Sequence, residues 1–225
     1  MSPIVELVVG QGENETILTA HQNLLRESPF LAESIASFNE INPVSLPFFF
    51  HISLPTLIVL MQRRISLPDE NVEAFGCFLQ FQYTRNYSQD AAMDDSGEQL
   101  LKHARVYTLA EKLGIPDLKS LAHSKIHQID STSSGEIIYA RYVYTHTPPD
   151  DTTIRRPIAA FWASRSHFLR HESEEEFKKL CLEVPEFCFD VLSLVLDQKE
   201  KRAQDKTEAT DPGNRSGRKR LRIGI

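Results

Sequence analysis

Short apolar runs at Ile4–Val9 and Thr16–Thr19 flank Gly10-Gln-Gly-Glu-Asn14. Such runs around a Gly/Asn turn predict a β-hairpin. Ser28-Pro29 then predicts a helix start, because Ser caps free amides and Pro suits the first helical position. That helix is expected to run to about Phe38. Arg64–Pro68 reads as a short strand, with Asp69 placed to cap the next helix. In that helix Val72, Phe75, Leu79 and Tyr83 recur at helical spacing, with Phe78 and Phe81 beside them, so the face is expected in the core. Asp90–Gly97 reads as a polar loop. Leu100–Leu113 is apolar on most sides, Gly114 suits a left-handed C-cap, and Pro116 starts a further helix.

The second half reads as helical throughout. Ser133-x-x-Glu136 and Ser173-x-x-Glu176 have the form of capping boxes. Pro148-Pro-Asp-Asp151 predicts a turn into a helix carrying Ile154, Ile158, Phe161, Trp162 and Phe168. Phe187–Leu196 carries Phe187, Val191, Leu194 and Val195. From Lys199 the chain turns polar and loses its period, which predicts fraying into disorder. The expected division is therefore 1–130, a helical region 131–200 and a disordered basic tail 201–225.

Composition adds a limited set of exclusions. Apolar residues at 41% and charged residues at 25% are ordinary values for a soluble chain able to bury a core. Cys77, Cys181 and Cys188 form no CxxC pair, which argues for a reducing compartment, nuclear or cytoplasmic. The first residues lack the basic stretch and long apolar run of a signal peptide. The net charge of −6 divides unevenly: from Lys199 on, nine Lys/Arg face four Asp/Glu, whereas the rest has 16 against 27. An acidic body with a basic tail argues against nucleic-acid binding by the folded part.

Three separated blocks carry a family resemblance. The first, Ile4–Phe30, holds strand, turn, strand, His21-Gln-Asn-Leu-Leu and Ser28-Pro-Phe. The second, Arg64–Thr84, reads Ile-Ser-Leu-Pro-Asp and then an aromatic helix ending Gln82-Tyr-Thr. The third, Leu100–Leu121, contains Val106-Tyr-Thr-Leu-Ala-Glu-Lys-Leu-Gly114. In this order they resemble the BTB/POZ domain, in the compact form common in fungi. Tyr139–Leu196 is similar, less specifically, to the helical region that follows the domain in fungal members.

The resemblance implies an α+β fold: a small sheet flanked by helices, with the helix ending at Gly114 at its centre, followed by an all-helical C-terminal region. It also implies a protein–protein adaptor without catalysis or cofactor, whose partners are proteins, including a second copy or a cullin scaffold. Members that recruit a cullin for ubiquitin transfer carry an apolar-x-Glu motif after the second helix. Phe38-Asn39-Glu40 matches that pattern, and the bland alternative is an ordinary helix end with a solvated Glu. His21 is implied to be structural. Members that exchange strands in a dimer carry a helix before the first strand; here the strand begins at Ile4, so self-association is expected to use another surface.

Residues 41–61 interrupt this pattern. The stretch is uncharged and long enough for a membrane span, yet Pro43, Pro47 and Pro55 break a helix, and a span would split one domain across a bilayer. Removing it joins Phe38-Asn-Glu40 to Gln62-Arg-Arg-Ile-Ser-Leu-Pro at ordinary family spacing. Its Phe, Leu, Ser and Pro content suits the pyrimidine-rich codons of a splice-site tract. An unspliced intron and a genuine partner-binding insertion are both open, with no membrane association expected.

Catalytic motifs leave little trace. Gly10-x-Gly12 lacks a third glycine and a following helix, so it reads as a turn rather than a phosphate loop. The sequence has no Gly-x-Ser-x-Gly elbow and no His-Glu-x-x-His. His123/His127 and His167/His171 have zinc-compatible spacing but no evident further ligand, and read as surface histidines. Arg218, Lys219, Arg220 and Arg222 form a basic cluster that reads as a solvated tail, a nuclear import signal or a contact for nucleic acid or an acidic partner. The alternative function is thus a nuclear regulator that oligomerises through its domain and uses this tail.

Overall fold

The structure, a computed structural model, describes residues 2–40, 63–88 and 96–210. It divides into two compact units, Met1–Pro148 and Pro149–Ile225. The fold is α+β, with a small sheet near the N-terminus followed by helices.

The first unit opens with the expected hairpin. Strand β1, Ile4–Val9, pairs antiparallel with β2, Thr16–His21, and parallel with β3, Arg64–Leu67, in the order β2-β1-β3. Alternation buries Val5, Leu7 and Val9 completely on one face, and the register brings Ile65 and Leu67 beside Leu7 and Val9. The turn contains a single 3-10 turn at Gly12–Asn14, closed by the Glu15 amide donating to the Gly12 carbonyl at 3.2 Å. Helices α1, Gln22–Leu25, and α2, Pro29–Glu40, follow β2.

Ser28 caps α2 as its position predicts: its Oγ accepts from the Leu31 amide at 3.3 Å. Leu31 and Ile35 are buried, so α2 presents a narrow apolar stripe inward. Helix α3, Val72–Thr84, is capped by Asn71, whose side chain accepts from the Ala74 amide at 2.9 Å. Asp69, the expected cap, lies two residues too early to reach those amides and instead accepts from Gln11 Nε2 at 3.3 Å. At the other end Arg85 takes φ 58, and its guanidinium grips Glu27 at 2.7 and 2.9 Å. Phe75, Phe78 and Phe81 are buried as expected, but Tyr83 is 52% exposed. The inward face of α3 is set by 74/75, 77/78 and 81/82, which rotates Tyr83 out of it.

Helix α4, Ser96–Leu113, is the centre of the unit and packs against α2, α3, α5 (Pro116–Ile126) and α6 (Ser133–His146). Buried residues surround it: Leu100, Ala104, Val106, Tyr107, Leu109, Ala110 and Leu113. Gly114 ends α4 at φ +69, and a Cβ there would sit 3.1 Å from Pro29 Cδ. Gly97, expected in the polar loop, is instead helical and buried. A Cβ on Gly135 would lie 2.7 Å from the Gly97 Cα, so the two glycines let α4 and α6 meet backbone to backbone.

The packing of α6 on α4 sets the division of the chain. The expected boundary at residue 130 falls inside this compact unit, which closes only at Pro148. The cap of α6 is Thr132, whose Oγ1 accepts from the Gly135 amide at 3.2 Å, while Ser133 of the expected box is buried as the first helical residue.

The second unit consists of α7, Thr152–Glu172, α8, Glu174–Glu183, and α9, Pro185–Thr210. Trp162 is fully buried, stacked on Phe177 at 5.1 Å between ring centroids and edge-on to Phe187 at 5.9 Å. Ile154, Ile158, Leu180, Val184 and Val191 close this core. Ser173 occupies the N-cap of α8 without a side-chain cap bond, so the second expected box forms in position only. Helix α9 continues to Thr210, ten residues into the expected tail. The continuation lacks an apolar period, but Lys, Glu, Arg, Ala and Gln between 199 and 204 all favour helix. The tail beyond 210 and residues 41–61 lie outside the described residues. No helix among the described residues is long and apolar enough to cross a membrane.

Candidate functional site

The candidate partner surface is built on α2. Its first turn is fixed twice over: Pro29 lies against Gly114, and the Ser28 hydroxyl donates to the Leu113 carbonyl at 2.7 Å. Leu31 and Ile35 face inward, which leaves Phe30, Glu33 and Ser37 on the exposed side, one turn apart. Lys112 Nζ sits over the Phe30 ring, 5.6 Å from its centroid, and also pairs with Glu70. An exposed aromatic is thereby held by a cation anchored to a different element. Phe38, at the far end of the helix, is half-buried; Asn39 and Glu40 continue the helical backbone, and their side chains lie outside the described residues.

Phe30 and Lys112 had no place in the sequence reading of this surface. The signal for Phe30 was present, since Leu31 and Ile35 set the inward phase of α2 and place residue 30 beside it. The signal for Lys112 was not, because nothing local says which helix α4 faces at that position.

His21 and Tyr83 form a second surface feature. The His21 amide donates to Tyr83 Oη at 3.2 Å, and His21 Nδ1 lies 2.7 Å from the same oxygen. An oxygen that accepts the amide can give its own hydrogen to Nδ1. The rings meet edge to face at 5.9 Å. His21 thus ties the end of β2 to α3.

A buried pair, Tyr87 and His103, escaped the sequence reading. Tyr87 Oη and His103 Nδ1 are 2.9 Å apart, and both side chains are almost wholly buried. Burial first, then the nearby positive charges of Lys125 and Lys102, pushes the His103 imidazole down to about 4. Burial likewise pushes the Tyr87 phenol up. At neutral pH both are uncharged, which suits a core contact.

The remaining candidates stay apart. His123 on α5 and His127 at its C-cap have Nε2 atoms 3.2 Å apart, and burial lowers the His127 imidazole. His167 and His171 rings are 6.3 Å apart on α7. Among the described residues no three His, Cys, Asp or Glu side chains converge as a metal site. Arg218, Lys219, Arg220 and Arg222 lie outside the described residues. No protein-family profile matches the chain, and no curated protein does.

Proposed function

We propose that this chain is a non-enzymatic protein–protein interaction adaptor of the BTB/POZ type, which presents partners to a cullin-based ubiquitin ligase through the outer end of α2. The observation that carries the reading is that the three resembling blocks pack as one body. Parallel pairing of β1 with β3 joins the first block to the second, reinforced by the Glu6–Arg64 pair at 2.7 Å. The Ser28–Leu113 bond joins the first to the third. Lys112 and Glu70 join the third to the second.

Such an adaptor works by burying a rigid apolar and polar face against its partner, and uses no cofactor. The exposed line Phe30, Glu33, Ser37, leading to Phe38, has the mixed character of such a face. The reading is tested by calorimetric titration of the full chain with a purified cullin scaffold. Saturable binding that is lost in the Phe38→Ala/Glu40→Ala double variant is the expected result. Absence of binding, or binding indifferent to both substitutions, removes the ligase role.

A further inference from the structure

The two outer strands of the sheet are finished differently. β3 is four residues long, and its outward residue Arg64 is paired with Glu6. Short length and charge protect a sheet edge from a further strand. β2 is six residues long and carries no formal charge from Thr16 to Ala20.

Its free groups follow from hydrogen-bond parity. On β1 the amides of Glu6 and of the following Gly10 donate to the Arg63 and Leu67 carbonyls, so the even positions face β3 and the odd positions face β2. The register Val5↔Ala20, Leu7↔Leu18, Val9↔Thr16 then turns the backbone of Ile17, Thr19 and His21 outward. His21 gives its amide to Tyr83 Oη. Ile17 and Thr19 give theirs to no group among the described residues, and the Ile17 side chain is 55% exposed.

We propose that this edge takes a second copy of the chain, β2 against β2, antiparallel about a two-fold axis through Leu18. Ile17 of each copy comes opposite Thr19 of the other, and each pair exchanges both its N–H and its C=O. This register pairs the free amides of both Ile17 and Thr19. Sliding by two residues toward the turn sets Thr19 against Glu15, whose amide is already given to Gly12. Sliding the other way sets Ile17 against His21, whose amide is held by Tyr83. In the chosen register Glu15, the one charged residue flanking the strand on that side, meets the His21 imidazole of the other copy instead of a like charge. The ladder is short and buries less than a standard interface, so the dimer is reversible. This inference goes beyond the adaptor reading and fails independently of it, because it does not involve the outer end of α2.

The test is amide hydrogen exchange on the full chain from about 10 μM to about 1 mM, a range that brackets weak association, with sedimentation on the same samples. The amides of Ile17 and Thr19 are expected to slow at least about tenfold across the range, as a dimer appears, while Leu18 stays protected throughout. Ile17→Lys and Thr19→Pro are each expected to abolish both effects; neither amide is used among the described residues, so both variants are expected to stay folded. A monomer throughout, with these amides unchanged by concentration, overturns the proposal. So does a dimer that persists in both variants.

Discussion

Ser28 and Leu113 are 85 residues apart in the chain, yet the Ser28 hydroxyl donates to the Leu113 carbonyl at 2.7 Å in the core of the first unit. The same oxygen accepts the Leu31 amide. One buried hydroxyl therefore starts α2 and satisfies a carbonyl at the end of α4, where the helix has run out of its own donors.

Replacing it separates these roles from bulk packing. Ser28→Ala is expected to cost roughly 2 kcal/mol, from loss of an N-cap and from leaving a buried carbonyl without its donor. Urea unfolding should show a lower midpoint at unchanged slope. A change within a few tenths of a kcal/mol would mean that water replaces the hydroxyl.

The cap of α3 gives a sharper contrast. Asn71→Ala is expected to cost about 1 kcal/mol, because the Ala74 amide loses its acceptor. Asp69→Ala, at an exposed side chain that accepts from Gln11, is expected to change stability by less than about 0.5 kcal/mol. Equal losses in the two variants would contradict the assignment of the cap.

His103 makes stability depend on pH. Its imidazole is held down to about 4 when folded, against the ordinary value of 6.5 when unfolded. Between these values the unfolded chain binds the extra proton, so the contribution is complete above pH 6.5 and is lost as pH falls toward 4. The loss is expected to be on the order of 2 kcal/mol by the lower end of that window. His103→Gln should flatten this part of the profile of melting temperature against pH, measured beside the unsubstituted chain. An unchanged slope would assign the dependence to other groups.

The second unit carries the single tryptophan, so its unfolding can be followed on its own. Phe187→Ala removes the edge-on contact to Trp162 and opens a cavity, which is expected to cost about 3–5 kcal/mol. Tryptophan emission should then shift to the red at a lower denaturant concentration than before. An unshifted transition would place Trp162 outside the core of that unit.

The strands and most helices were legible because each is announced locally. Period, a Ser-Pro start and a Gly-Pro stop are all properties of neighbouring residues. What stayed hidden depends on packing between distant segments. Tyr83 shares the spacing of Phe75 and Leu79, but α3 is turned by its contacts so that Tyr83 meets His21 at the surface. The boundary at Pro148 reflects the packing of α6 on α4, where Gly97 and Gly135 approach closely, which neither glycine signals alone. Helix α9 outlasts its apolar stripe because propensity sustains a helix after burial ends. Of the candidate partner surface, Phe38 and Glu40 belong to a local pattern, whereas Phe30 and its cation Lys112 come together only through the packing of α2 on α4.

The most direct measurement of the central claim is quantitative affinity purification of the tagged chain with mass spectrometry, beside the Phe38→Ala/Glu40→Ala variant. The adaptor account predicts a stoichiometric cullin in the first sample and at least a tenfold loss, about 1.4 kcal/mol or more in affinity, in the second. Equal recovery of a cullin in both samples, or recovery of no stoichiometric protein in either, would contradict it.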